Sequence, residues 1–278
     1  MKKIIITADD YGMCTSVDQA IDECIEAGIV TSTNVMLNMD TADNAVALRK
    51  KYPHISVGIH WNVTKGKPLL LTDKVRSLVD NNGCFLSIKQ FKHRLSKNAI
   101  KKHELIAELK AQYNAFYKLC GKPDYWNTHA NSALDIRVFN IFSNLAFEYE
   151  IPGTRNFQRL YIDIHEVPLN RKVKEFMHKC AADLWFGILL KNKFIMPRAR
   201  LFPFGIENKL NVEKLIYCLK NNRYPSIEVV IHPATTSNRD YFGVLNDIRV
   251  DEYKFFSAQK LKDSIIEADL RLSNFSDI

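Results

Sequence analysis

Polar residues that could bind a metal or transfer protons follow four short apolar runs of this sequence. They are Asp9-Asp10 after Ile4-Ile5-Ile6, His60 after Val57-Gly58-Ile59, His129 after Tyr125-Trp126, and His232 after Val229-Val230-Ile231. One carboxylate and two imidazoles can supply three ligands of a catalytic metal site and leave a position for water. Such a metal lowers the pKa of its water from about 15.7 towards about 7, so hydroxide becomes available near neutral pH. The set therefore predicts a metal-dependent hydrolytic site.

The aspartate that does not bind the metal, and the late histidine His232, suit proton transfer. A carboxylate can accept a proton from the attacking water, and His232 can give a proton to a departing amine. We assign Asp10 to the metal, together with His60 and His129, and Asp9 to the base. Adjacent residues of an extended strand point to opposite sides, so the two aspartates are expected to differ in role. Spacing alone allows the reverse assignment nearly as well.

Each of these residues also has an ordinary structural explanation. An Asp-Asp pair before Gly12 could form only a turn and a helix cap, and a single histidine is more often a hydrogen-bonded structural residue. All four positions lie at or just after the carboxyl end of a predicted strand, which favours one shared site over four separate structural roles. The other histidines lie in loops or charged stretches and are interpreted as surface residues: His54, His93, His103, His165 and His178.

The elements that must position these residues alternate between strand and helix. Strands are predicted at 3–8, 33–37, 56–60, 125–128 and 227–231, with helices between residues 16 and 28, at 43–51, from 105 to 121 and from 136 to 146. Residues 64–87 are expected to form loops, and the basic, amphipathic stretch 168–200 receives no assignment. This alternation predicts an α/β fold with a parallel sheet, whose strand ends meet at one mouth.

Composition limits the class of protein. The chain has 278 residues, of which 46% are hydrophobic and 25% charged, and is expected to form one domain over 1–278. No export signal or membrane-spanning run is visible, and six cysteines without a CxxC pair fit a reducing compartment, so we expect a cytoplasmic protein. The net charge of +8 is spread among acidic residues, which favours a solvated basic surface over a nucleic-acid partner.

Four motifs carry a resemblance to a known family. They are Ile6-Thr7-Ala8-Asp9-Asp10-Tyr11-Gly12, Gly58-Ile59-His60-Trp61-Asn62-Val63-Thr64 with Gly66-Lys67-Pro68-Leu69, Asn127-Thr128-His129, and Glu228-Val229-Val230-Ile231-His232-Pro233. At these residues the chain resembles the YdjC-like carbohydrate deacetylases, which include chitooligosaccharide deacetylases. Residues 249–272 also look like the final helix of that family, so the resemblance covers nearly the whole chain.

The resemblance implies a fold, a reaction and a site. The fold is a distorted (β/α) barrel, similar to that of NodB-type polysaccharide deacetylases, and the reaction removes the acetyl group of an N-acetylated mono- or oligosaccharide. Asp10, His60 and His129 would hold one divalent metal, with Asp9 as base and His232 as acid; a homodimer is also implied. The family points to magnesium, whereas two imidazoles and a carboxylate suit zinc, nickel, cobalt or iron better.

Three positions depart from the family pattern, and one of them is also among the three residues assigned to the substrate. Asn127, Asn131 and Ala133 stand where relatives commonly carry an aspartate and two histidines. Asn131 can still bond a sugar or water. Arg155 could orient a carboxylate or bind a substrate oxygen, or be merely exposed, and Trp61 could stack on a sugar or fill the space behind its strand.

Two other functions remain open at this point. A sugar-binding or regulatory protein could keep the metal site without turnover, which the substituted third motif makes conceivable. A metal-dependent phosphohydrolase would also use aspartates at a first strand end. Aspartate-nucleophile phosphatases usually need two aspartates separated by one residue, however, and here the two are adjacent.

Overall fold

Nine strands form one sheet in the computed structural model of the protein. The structure describes residues 1–160, 193–203 and 211–278, with single positions 173, 176, 180 and 187 between them. The strands are β1 (Lys2–Tyr11), β2 (Ser32–Val35), β3 (Ser56–Trp61), β4 (Tyr125–Thr128), β5 (Gly153–Thr154), β6 (Arg159–Leu160), β7 (Ala199–Leu201), β8 (Ser226–Ile231) and β9 (Leu270–Leu272). Every pairing between them is parallel.

The sheet curls into a distorted barrel. Its order is β5-β4-β3-β2-β1-β8-β7-β6, and β9 pairs with the start of β1. Strands β5 and β6 belong to one stretch of chain, residues 153–160. On one side, β5 pairs with β4. On the other side, Gly153 forms a bridge with Ile195, and β6 pairs with β7. The two ends of the sheet are thereby joined, and the predicted distorted (β/α) barrel is confirmed.

The longer helices of the described residues pack on the sheet through an apolar stripe. The described helices are α1 (Thr15–Glu26), α2 (Ala45–Lys51), α3 (Ile88–Ser96), α4 (Lys102–Cys120), α5 (Ile136–Glu148), α6 (Val212–Lys220), α7 (Arg239–Phe242), α8 (Asn246–Phe256) and α9 (Gln259–Glu267). Val17, Ile21 and Ile25 of α1, for example, are buried at helical spacing. They join the apolar residues of the strands in one extensive core.

One glycine on β3 makes room for a large ring inside the barrel. A Cβ atom on Gly58 would lie 2.6 Å from the ring of Tyr125. Tyr125 is fully buried and stacks on Phe275, with ring centroids 4.0 Å apart. A larger residue at position 58 would therefore push β3 and β4 apart, and these two strands carry His60 and the residues before His129.

Most of the predicted elements are confirmed with shifted ends. The predicted final helix is wrong: it is broken into α8 and α9, followed by β9. The strand predicted at 3–8 continues to Tyr11, so the aspartates lie within it. His54, His93 and His103 are exposed as expected, whereas His165 and His178 lie outside the described residues. None of the described helices is both long and apolar enough to span a membrane.

Candidate active site

The end of β1 is irregular, and this irregularity places both aspartates. The register with β2 shifts between Ala8 and Tyr11, and Asp10 has a φ of 80°. A positive φ costs most residues about 1–2 kcal/mol, although aspartate and asparagine tolerate it better than others. The backbone N–H of Asp10 donates to Asn34 Oδ1 at 3.3 Å. The expectation of opposite sides assumed a regular strand, and β1 is irregular at Asp10.

Asp10 converges with two histidines. Its Oδ1 atom lies 3.2 Å from Nε2 of His60 and 3.1 Å from Nδ1 of His129. The two rings meet edge to face with centroids 5.6 Å apart. One ligand atom from each of the three residues lies within 4.8 Å of the others, which is the separation expected of groups that share one ion. The predicted trio is brought together, and its donors fit a divalent metal with further positions open.

The other oxygen of Asp10 is held by an arginine. Nη2 of Arg249, on α8, lies 2.5 Å from Asp10 Oδ2, and both side chains are buried. Burial by itself would raise the pKa of Asp10, but Arg249 and then His129 outweigh it and hold that pKa well below its usual value. Asp10 is therefore a carboxylate with one oxygen fixed and the other directed at the histidines.

Asp9 is surrounded by donors. Arg155 approaches it with two nitrogens, Nη1 to Oδ2 at 2.9 Å and Nη2 to Oδ1 at 2.7 Å. Asn34 donates to Oδ1 at 2.6 Å, and Asn127 lies 3.4 Å from the same oxygen. Burial by itself would raise the pKa of Asp9. The charge and hydrogen bonds of Arg155, with His60 and His232 nearby, outweigh burial and lower that pKa. Asp9 is ionised and rigidly held.

Arg155 also binds a second buried carboxylate. Its Nε lies 3.1 Å from both oxygens of Glu228 on β8, and Glu228 is completely buried. The arginine thus joins β8 to the Asp9 end of β1 across the inside of the barrel. Of the two functions expected for Arg155, orienting a carboxylate is the one this geometry supports, and its exposure as a surface residue is excluded because only 5% of it is accessible.

His232 stands beside Asp9 at the mouth of the barrel. Its Nε2 lies 3.7 Å from Asp9 Oδ2, and 21% of its side chain is exposed. Glu252 of α8 accepts the backbone N–H of His232 at 2.5 Å, and Phe202 stacks parallel to the imidazole at 6.5 Å. Burial lowers the pKa of His232 to about 4, although Asp9 and Asp10 oppose the shift. The free imidazole is therefore neutral near pH 7.

The other two residues assigned to the substrate are Trp61 and Asn131. Trp61 is fully buried, donates its indole N–H to the carbonyl of Leu109 at 3.1 Å and packs on Trp126 and Phe142. The sugar-stacking expectation for Trp61 is therefore corrected: the ring fills the space behind β3. Asn131 lies two residues after His129 with a φ of 51°, and its Oδ1 accepts from Arg200 at 3.2 Å.

Sequence reasoning missed several residues that hold the site in place. They are Asn34 and Glu228 on strands, and Arg249 and Glu252 on α8. Glu228 could have been noticed, since a charged residue inside an apolar strand needs a buried partner. Arg249 and Glu252 had no such signal, because their spacing is that of an ordinary amphipathic helix.

Comparison with known proteins gives one family and several relatives. The sequence pattern described as YdjC-like protein matches residues 3–267. A carbohydrate deacetylase of Clostridium beijerinckii is 34% identical over 99% of this chain and 100% of its own. A chitooligosaccharide deacetylase of Yersinia enterocolitica is 27% identical over 99% of both. A carbohydrate deacetylase of Danio rerio is 31% identical over 55% of this chain, and the matched stretch covers 49% of that protein.

A solved structure agrees with the fold. It is a protein of Enterococcus faecalis named for cellobiose-phosphate cleavage, 24% identical, with a TM-score of 0.76 over 99% of this chain and 98% of the other. At that identity the likeness supports the barrel and nothing about the reaction. The family pattern covers almost the whole length of this chain, and two relatives match the chain from end to end. The chain therefore belongs to the YdjC-like protein family.

Proposed function

We propose that this protein is a metal-dependent hydrolase that removes the acetyl group from an N-acetylated mono- or oligosaccharide. The observation that carries the proposal is the meeting of Asp10, His60 and His129 at the same mouth as Asp9 and His232. The substrate class is supported by full-length relatives that are named carbohydrate and chitooligosaccharide deacetylases. The products would be acetate and an amino sugar.

Asp10, His60 and His129 would hold the metal. A divalent ion bound there supplies Lewis acidity, which polarises the acyl oxygen and lowers the pKa of a coordinated water. The choice of ion is open between magnesium, which the family resemblance implies, and zinc or another transition metal. Two imidazole nitrogens beside one carboxylate oxygen favour the second group.

Asp9 and His232 would move the proton. Asp9 is ionised and can accept a proton from the attacking water. His232 is neutral near pH 7, since its pKa is lowered to about 4, so it needs a proton before it can act as an acid. Asp9 Oδ2 lies 3.7 Å from His232 Nε2, close enough to pass the proton with a small movement of the imidazole. His232 would then deliver it to the nitrogen of the departing amine.

Acetate release tests the proposal. Chelator-treated protein is refilled with one divalent metal at a time and incubated with N-acetylglucosamine oligomers, beside a His129→Ala variant and a His103→Ala control at an exposed histidine. We expect release that requires metal, disappears in His129→Ala and persists in His103→Ala. Sugar binding without acetate release, with every metal tried, would contradict the proposal and favour a binding protein.

Three further expectations stand beside this proposal. The single domain and the homodimer come from the family resemblance, and the cytoplasmic location comes from six cysteines without a CxxC pair. We infer one domain over residues 1–278, a homodimer and a cytoplasmic location. Light scattering coupled to size-exclusion chromatography would test the dimer, since a particle of about one chain mass, 32.1 kDa, would contradict it.

A further inference from the structure

Asn127 lies between the metal side of the site and the proton-transfer side. It is the β4 residue paired in register with His60 of β3, so both side chains point to the same face of the sheet. Asn127 is 5% exposed, and His60 is 2% exposed. Its amide therefore has two buried neighbours, the His60 imidazole and the Asp9 carboxylate, and little access to water.

The direction of this amide is determined by Asp9. Nδ2 of Asn127 lies 3.4 Å from Asp9 Oδ1, and Oδ1 of Asn127 contacts Nδ1 of His60. An ionised carboxylate only accepts hydrogen bonds, so the opposite amide orientation would set two acceptor oxygens against each other. The amide nitrogen therefore faces Asp9, and the amide oxygen faces His60.

The amide in turn determines which nitrogen of His60 carries hydrogen. The amide oxygen facing Nδ1 favours a hydrogen on that nitrogen, which leaves the lone pair of the neutral ring on Nε2. Nε2 is the atom directed at Asp10 Oδ1, 3.2 Å away. In the metal-free protein an N–H on Nε2 could donate to Asp10, but a cation held by Nε2 and Asp10 needs the lone pair of Nε2. The amide oxygen of Asn127 therefore favours the tautomer that binds metal. A partner on the second nitrogen is how metal-binding histidines are usually oriented.

We propose that Asn127 is a positioning residue, which holds His60 in its metal-binding tautomer and ties it to Asp9. The inference rests on the proposed metal site. An aspartate at position 127 could accept from His60 equally well, but it would present a second carboxylate to Asp9. Asparagine keeps the acceptor for His60 and turns a donor towards Asp9.

Zinc binding to three proteins tests the assignment: the natural protein, Asn127→Ala and Asn127→Asp. Zn²⁺ affinity is measured by competition with a chelator, without any substrate. We expect Asn127→Ala to bind Zn²⁺ about 10- to 100-fold more weakly. Asn127→Asp should stay within a few-fold of the natural protein, because it keeps the acceptor. Asn246→Ala, at a buried asparagine on α8, controls for the loss of a buried amide.

The tautomer itself is read by nitrogen NMR of the zinc-loaded protein. We expect the ring hydrogen of His60 on Nδ1, slow to exchange in the natural protein and in Asn127→Asp, and fast to exchange in Asn127→Ala. A hydrogen on Nε2 of the natural protein, or unchanged Zn²⁺ affinity in Asn127→Ala, would overturn the inference. The natural protein alone decides the tautomer if Asn127→Ala does not fold. Zinc binding with this tautomer but without acetate release would instead contradict the proposed function.

Discussion

The two sides of the site use adjacent aspartates in opposite ways. Asp10 has an arginine on one oxygen and two imidazoles near the other, so its second oxygen is available to a cation. Asp9 has both oxygens occupied by Arg155 and further amide donors on Oδ1. Neighbours in sequence thus acquire different surroundings, one suited to the proposed metal ligand and the other to the proposed base. The difference shows that the partners supplied by distant strands and by α8, rather than the residue type, assign the two roles.

The bulge in β1 is what separates these sets of partners. With Asp10 at a φ of 80°, its carboxylate meets β3, the start of the turn after β4, and α8. The Asp9 carboxylate stays with Arg155 near β5 and with His232 after β8. Replacing one charged side chain at a time tests this difference between Asp9 and Asp10.

The largest effect is expected from removing the charge of either aspartate. Asp10→Asn keeps a residue that tolerates a positive φ, but it should weaken Zn²⁺ binding by more than the roughly 10- to 100-fold that loss of an outer partner costs. Asp9→Asn should lower kcat by about 10²- to 10⁴-fold, as expected for loss of a general base. It should weaken Zn²⁺ binding by no more than about 10- to 100-fold, because Asp9 acts on His60 only through Asn127. Chelator competition and acetate release measure the two quantities.

The exposed Asp73→Asn variant serves as the control, and both its affinity and its kcat should match the natural protein. Equal loss of Zn²⁺ affinity in Asp9→Asn and Asp10→Asn would contradict the division of roles. It would mean that the two carboxylates act as one metal-binding pair.

A smaller effect is expected on folding stability from Arg155→Met. The substitution leaves Asp9 and Glu228 buried without their shared counter-charge, which should lower the free energy of unfolding by about 3–5 kcal/mol. Arg137→Met is the control, because Arg137 pairs with Asp135 at the surface with 39% of its side chain exposed. That pair is expected to contribute at most about 1 kcal/mol. Urea unfolding at neutral pH that shows equal losses would contradict a structural role for Arg155.

The smallest effect concerns the pH dependence of stability on the Asp9 side. The pKa of His232 is lowered to about 4 in the folded protein, against about 6.5 for an ordinary histidine. The unfolded chain therefore binds a proton first as pH falls. The neutral His232 therefore contributes to the free energy of unfolding fully above about pH 6.5. This contribution is lost as the pH falls towards 4, and the loss amounts to at most about 3 kcal/mol.

His232→Gln removes this dependence. Urea unfolding of the metal-free proteins between pH 7 and pH 4 should give a shallower fall in stability for His232→Gln than for the natural protein. His93→Gln, at an exposed histidine, should follow the natural protein. Parallel curves for His232→Gln and the natural protein would show that the imidazole titrates normally.

Prediction from sequence worked best where the pattern was local. The strand that contains His60 and the strands that end just before His129 and His232 are confirmed. Short apolar runs before a polar residue are typical of buried parallel strands. The bulge at Asp10 left no such trace, since aspartate is common in both turns and strand ends. The sugar-stacking expectation for Trp61 failed because the side of the strand on which a ring lies depends on what packs behind it, here α4 and α5.

The sequence by itself determined the family, the alternating α/β fold and the members of the proposed metal trio. Short-range periodicity and four motifs carry that information. Only the tertiary structure decided which aspartate faces the histidines, that Arg155 and Arg249 each neutralise one of them, and that Asn127 connects the two sides. These contacts join residues that are far apart along the chain, and their energies depend on burial and distance, neither of which a linear pattern contains.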